Sequence, residues 1–264
     1  MEIIIGILVG MAMLIISSWL FLRSRKKVSP APPMPESSRV LLEEHVLYYQ
    51  NLDQPGKKEF ETRVMQFLRR VRISGIHTEV DELDRVLIAA SAIIPIFGFS
   101  DWEYIHLNEI LLYPGSFNHD FDQEGSDRTI LGMVGDGALE DVMLLSRHDL
   151  RQAFLNSTGK FNTAIHEFVH LLDKTDGSVD GIPESLLSKQ YVIPWIEMMR
   201  RKIKQIQASQ SDINPYAATS DAEFLAVVSE YFFERPDLLR EKHPGLYEML
   251  THIFQQQPVM EKRK

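Results

Sequence analysis

The sequence predicts an α+β fold, with a helical start, a small mixed sheet in the middle and a mostly helical second half, preceded by one transmembrane helix. Three observations carry this reading. Residues 39–73 alternate apolar and charged side chains at helical spacing. Residues 104–146 turn to Ile, Leu, Val and Met broken by Gly and Asp, the pattern of short strands. The rest of the chain returns to helical spacing, and helices segregated from strands mark α+β architecture.

Taken in order, residues 3–22 form an uncharged apolar run. At ~1.5 Å per residue such a run matches the ~30 Å hydrocarbon core of a bilayer. Glu2 precedes it and Arg23, Arg25, Lys26 and Lys27 follow, the reverse of a cleavable signal peptide. The positive-inside rule then makes residues 1–22 an anchor with its N-terminus outside and the following chain in the cytoplasm. Residues 23–38, basic and then proline-rich, read as a semi-rigid linker. Residues 39–264 form the domain.

Within that domain "LLEEHVLYYQNL" and "KKEFETRVMQFLRRVRI" read as two amphipathic helices separated by a Pro55-Gly56 turn. "DELDRVLIAASAIIPIFGF" is apolar enough for a buried helix. "YIHLNEILLYPGSF" and "RTILGMVGDGALEDVMLLS" supply about three strands, and the segments from His148 onward are helical in pattern.

Composition narrows the chemistry. The 264 residues contain no cysteine, which excludes disulfides, thiol nucleophiles and iron–sulfur clusters and leaves any metal to His, Asp and Glu. The net charge is −9, and residues 1–30 are net basic, so the body is more acidic still. An acidic body is a poor match for phosphates, so no direct nucleic-acid contact is expected.

The chemistry-bearing stretch is "FNTAIHEFVHLLDKTDG". Asn162 is placed to cap a helix from about Thr163 to Asp173. At 3.6 residues per turn His166 and His170 stack on one face, able to occupy two corners around one ion, with Glu167 beside them. In this HExxH arrangement zinc acidifies a water and the glutamate takes its proton. Ile165, Phe168, Val169, Leu171 and Leu172 make the helix largely buried, and unpartnered buried histidines would cost several kcal/mol, which a metal removes. A third ligand is sought in "NPYAATSDAEFLAVVSEYFFERP", where Ser220 or Asp221 can cap a helix. Glu223 and Glu230 share a face of it at i and i+7, and periodicity leaves the choice between them open. Glu223 also reads as a first-turn carboxylate favoured by the helix dipole, and Glu230 as a partly exposed surface acid.

These runs, with "RVLIAASAIIPIFG", "EILLYPGSF" and "HPGLYEML", resemble the Mlc titration factor A family, the glucose-regulated zinc metallopeptidases of bacteria, across roughly residues 68–258. The resemblance implies a zincin-like domain of gluzincin type, a Zn2+ cofactor and a peptide substrate. Members of that family resemble the catalytic domain of anthrax lethal factor, with a tyrosine seven residues before the ligand glutamate. Carried over residue by residue, this implies His166, His170 and Glu223 as zinc ligands, Glu167 as general base and Tyr216 as donor to the oxyanion. By its surroundings alone Tyr216 reads as a packing aromatic. Asp173 reads equally as a turn acid or as a carboxylate orienting an imidazole, and stays outside the site.

Joined to the anchor, the family implies a zinc peptidase with aminopeptidase-type activity, held in the bacterial inner membrane as a single-pass protein facing the cytoplasm. The alternative it implies is a regulatory protein that sequesters a transcriptional repressor at the membrane.

Overall fold

The computed structural model describes residues 32–258 apart from 101, 119–122, 124–128, 136 and 156–158. Helix α1 (Glu36–His45) and the single turn α2 (Leu47–Gln50) break at Val46, whose backbone is extended. Helix α3 (Gln54–Arg70) starts under Asp53, whose carboxylate accepts from the Gly56 N–H. Pro55 and Gly56 therefore lie in its first turn and not in a loop between helices. Proline is tolerated there because its missing N–H has no partner in a first turn anyway.

Phe60, Val64 and Phe67 give α3 one buried stripe. Arg63, also buried, turns its guanidinium onto the Ile96 and Phe97 carbonyls. It thereby satisfies orphan acceptors at the end of helix α4 (Glu82–Ile96). A capping box between Asp81 and Asp84 opens α4, and twelve of its fifteen residues are buried, so it runs through the middle of the domain. The predicted buried helix is present.

Among the described residues four strands form one sheet: β1 (Arg72–Gly75), β2 (Glu109–Tyr113), β3 (Gly132–Val134) and β4 (Val142–Ser146). Their order is β1-β2-β4-β3, with β3 antiparallel on one edge and the other neighbours parallel. The sheet is mixed and small, as the sequence predicts, but the sequence pattern places β1 at the end of a helix. "RVRI" continues the charged-apolar alternation of α3, and only pairing of Ile73 with Ile110 makes it a strand.

The helical second half comprises α5 (Arg147–Leu155), α6 (Thr163–Asp173), α7 (Lys189–Gln207), α8 (Asp221–Glu234), α9 (Pro236–Lys242) and α10 (Pro244–Phe254). Helix α6 packs against α4, α8 and β3. Asp84, fully buried at the start of α4, accepts from the Nε of Arg147 at 2.9 Å and of Arg151 at 2.7 Å, tying α4 to α5.

The transmembrane expectation is corrected by this architecture. Among the described residues no helix is long and apolar enough to cross a membrane. Helix α7 has 19 residues but carries five basic ones, while the apolar α4 has 15, only about 22 Å of rise. Residues 3–22, which carried the expectation, lie outside the described residues. The anchor, the single-pass inner-membrane placement facing the cytoplasm, the membrane partner and membrane-held repressor capture are accordingly dropped from the functional reading.

Candidate metal centre

The centre is built where α6 and α8 meet, and local sequence sets both helix starts. Asn162, fully buried with extended backbone, accepts the Ile165 N–H on its side chain at 3.1 Å and starts α6 at Thr163. Ser220 accepts the Glu223 N–H at 3.1 Å and starts α8, so Glu223 is not itself the cap.

One turn apart on α6, the His166 and His170 rings meet edge to face at 4.7 Å, and their Nε2 atoms are 3.1 Å apart. Glu223 comes in from α8 with Oε2 2.9 Å from His166 Nε2 and Oε1 3.5 Å from His170 Nε2. All three ligand atoms fall within 4.8 Å of one another. Around a tetrahedral ion with bonds of about 2.0–2.1 Å, ligand atoms lie about 3.3 Å apart, and these separations bracket that figure. Glu223 Oε2 is buried without a well-directed hydrogen bond, although His166 Nε2 is close. Two imidazole nitrogens and an orphaned carboxylate oxygen turned toward one point form a donor set that could hold a divalent metal. Without an ion, burial would lower the His166 pKa, but Glu223 and Glu230 outweigh it and push it up to about 10.

Glu167 is buried beside this triangle, and burial raises its carboxyl above the usual range. Its neighbour is Gly132 on the edge strand β3. A Cβ added there would fall 2.7 Å from Glu167 Cγ and 2.8 Å from Oε1, so only glycine lets the strand approach. Sequence reasoning missed Gly132, although a glycine interrupting a strand pattern signals close approach of another group. Tyr216 sits on the 3-10 turn Pro215–Ala218, half exposed, with its ring 6.1 Å from that of His166. Burial and the negative charge of Glu223 raise its phenol.

Glu230 is not the surface acid its position suggested. It is buried, with Oε1 2.7 Å from His166 Nδ1. Asp173, also buried, accepts the Gly181 N–H at 2.8 Å and so holds the following loop; its other oxygen has no hydrogen-bond partner among the described residues. Asp212, which sequence reasoning passed over, gathers Lys160, Tyr231, Lys242 and His243 within 3.0 Å. It ties the segment leading to Tyr216 to α8 and to the junction of α9 and α10.

Glu234 closes α8, and its enclosed carboxyl accepts the Asn162 side-chain N–H at 2.8 Å. Burial pushes it up to about 7. A carboxyl near 4.3 in the unfolded chain loses its proton there first. Folding stability therefore falls as pH rises from about 4.5 to 7 and stays reduced above. Glu234→Gln is expected to stabilise the protein at pH 8 by about 2 kcal/mol, after discounting for partial solvent access, and by less than half as much at pH 5. Thermal unfolding at the two pH values checks this; an equal shift at both contradicts it.

The comparisons with known proteins bear on the same residues. The family description "Glucose-regulated metallo-peptidase M90" matches residues 20–255, reaching further toward the N-terminus than the resemblance drawn from residue 68 onward. The protein named Mlc titration factor A from Cronobacter sakazakii is 30% identical over 217 residues, 76% of this chain and 78% of its own length. The one from Escherichia fergusonii shows the same identity and coverage. Uncharacterized protein slr2042 of Synechocystis is 26% identical over 242 residues, 86% of each chain. A match over most of the chain, joined to a His, His, Glu cluster suited to a catalytic metal, identifies the chain as a member of the glucose-regulated metallo-peptidase M90 family.

Proposed function

We propose that this metallopeptidase holds one zinc ion through His166, His170 and Glu223 and hydrolyses peptide bonds, with Glu167 as general base and Tyr216 as donor to the oxyanion. The observation that carries the reading is the convergence of three Lewis-basic side-chain atoms from two helices, one of them a buried oxygen left without a hydrogen bond. Two nitrogens and one oxygen, with no thiolate in the chain, suit zinc with a fourth position open to water or substrate. When bound, zinc supplies Lewis acidity toward a carbonyl and toward water.

The protein's own groups supply the rest. Glu167 has a carboxylate beside the ligand triangle that is not one of its corners, so it is free to accept a proton from water and return it to the leaving amine. The missing side chain of Gly132 leaves the space on β3 that this carboxylate occupies. The Tyr216 phenol, half exposed next to the ligands, can donate to the oxygen that becomes negative at the tetrahedral stage.

Elemental analysis of the purified full-length protein tests the ligand set. Wild type is expected to carry about one zinc per chain, and His166→Ala or Glu223→Ala to fall well below half of that. A wild type free of zinc after growth in zinc-supplemented medium, or a His166→Ala protein with full zinc, overturns the proposal.

A further inference from the structure

Behind His166, on the side away from the ligand triangle, lies a buried polar chain that the proposed reaction does not use. Glu230 sits two turns after Glu223 on α8 and is 5% exposed. Its Oε1 is 2.7 Å from His166 Nδ1, and its Oε2 accepts the Asn162 backbone N–H at 2.6 Å. Asn162 in turn uses every polar group it has. Its Oδ1 caps α6, its Nδ2 donates to Glu234, and its carbonyl accepts the His166 N–H at 2.9 Å. One fully buried residue thus starts the helix that carries both histidines and fixes the carboxylate that touches one of them.

With Glu230 ionised, the hydrogen-bond accounting around it has a single solution. The Asn162 backbone N–H can only donate, so the oxygen facing it must accept. The other oxygen faces Nδ1, and a carboxylate offers only acceptors, so Nδ1 carries the hydrogen. In a neutral imidazole that leaves the lone pair on Nε2, the atom turned toward His170 and Glu223. An amide at position 230 cannot satisfy both contacts with oxygen. With its oxygen on the Asn162 N–H, its NH2 faces Nδ1 and drives the imidazole hydrogen onto Nε2, where it blocks a metal.

We propose that Glu230 is a positioning residue that sets the tautomer and orientation of His166 for metal binding, with Asn162 holding Glu230 in place. This rests on the assignment of His166 as a ligand. Outer hydrogen bonds of this kind change metal affinity by about 10–100-fold.

The test uses full-length protein and zinc alone, with affinity measured by competition against a chromophoric chelator. Glu230→Gln is expected to weaken zinc binding about 10–100-fold. Glu234→Gln touches the same Asn162 from its other side and is expected to stay within about threefold of wild type. Tight binding by wild type and by Glu230→Gln alike overturns the positioning role and leaves the ligand assignment standing. Weak binding by wild type itself overturns the ligand assignment and the inference with it.

Nitrogen-15 NMR of the metal-free wild type supplies a readout that does not depend on a variant's folding. The His166 Nδ1–H is expected as an exchange-protected imidazole signal, lost in Glu230→Gln. Its absence from the wild type overturns the proposal.

Discussion

Glu167→Gln is expected to lower turnover of a chromogenic peptide amide by about 10²–10⁴-fold while leaving zinc content and substrate KM nearly unchanged. The substitution keeps size and shape, so the tight fit of the side chain against Gly132 survives. It removes only the ability to take and return a proton. Glu167 is not one of the three convergent ligand atoms, so metal content has no reason to fall. Single-turnover and steady-state rates, measured beside elemental analysis of the same preparation, separate the two effects. Undiminished turnover rejects the general-base role, and loss of zinc with loss of rate moves Glu167 into the ligand set.

Asp84→Ala is expected to cost about 3–5 kcal/mol, the range for removing one partner of a buried ion pair, and to lower the unfolding midpoint by roughly 10 °C in a protein of this size. Asp84 is fully buried and meets the Nε of Arg147 and of Arg151. It also accepts the Asp81 N–H at 3.1 Å as the third helical residue of the capping box. Alanine therefore takes the buried partner from the Nε atoms of two arginines, whose other nitrogens stay on Asp81, and unpicks the start of the central helix. Asp81 cannot substitute, because it is half exposed and already engaged by both arginines. The expected effect is on folding, with zinc stoichiometry of the surviving folded fraction unchanged. A midpoint shift under about 3 °C contradicts this account of how α4 and α5 are joined.

How much of this was legible in the chain depends on the range of the forces involved. The start of α6 at Thr163, the stacking of His166 on His170 and the largely buried α4 follow from capping chemistry and the 3.6-residue repeat, which act within a few residues. The Pro55-Gly56 pair was misread as a turn because the same residues suit a first helical turn, and the Asp53 cap tips the balance. Strand β1 was misread because its alternation of charged and apolar residues is shared by α3. Its identity comes from β2, more than thirty residues away.

The amino-acid sequence by itself determined the helix that carries His166 and His170, the central buried helix, the mixed and partly helical architecture and the family. Periodicity left open which of two acids on one face of α8 approaches the histidines; the family resemblance implied Glu223, and the tertiary structure shows where each acid lies. Glu223 and Glu230 are indistinguishable by periodicity, since both point to the same side of the helix. Where α8 lies against α6 brings the first to the Nε2 atoms of His166 and His170 and the second to the opposite nitrogen of His166. The placement of Gly132 against Glu167 was likewise settled by packing. The physical reason is common to both: a local repeat sets the direction of a side chain, whereas its partner is set by contacts between segments far apart in the chain.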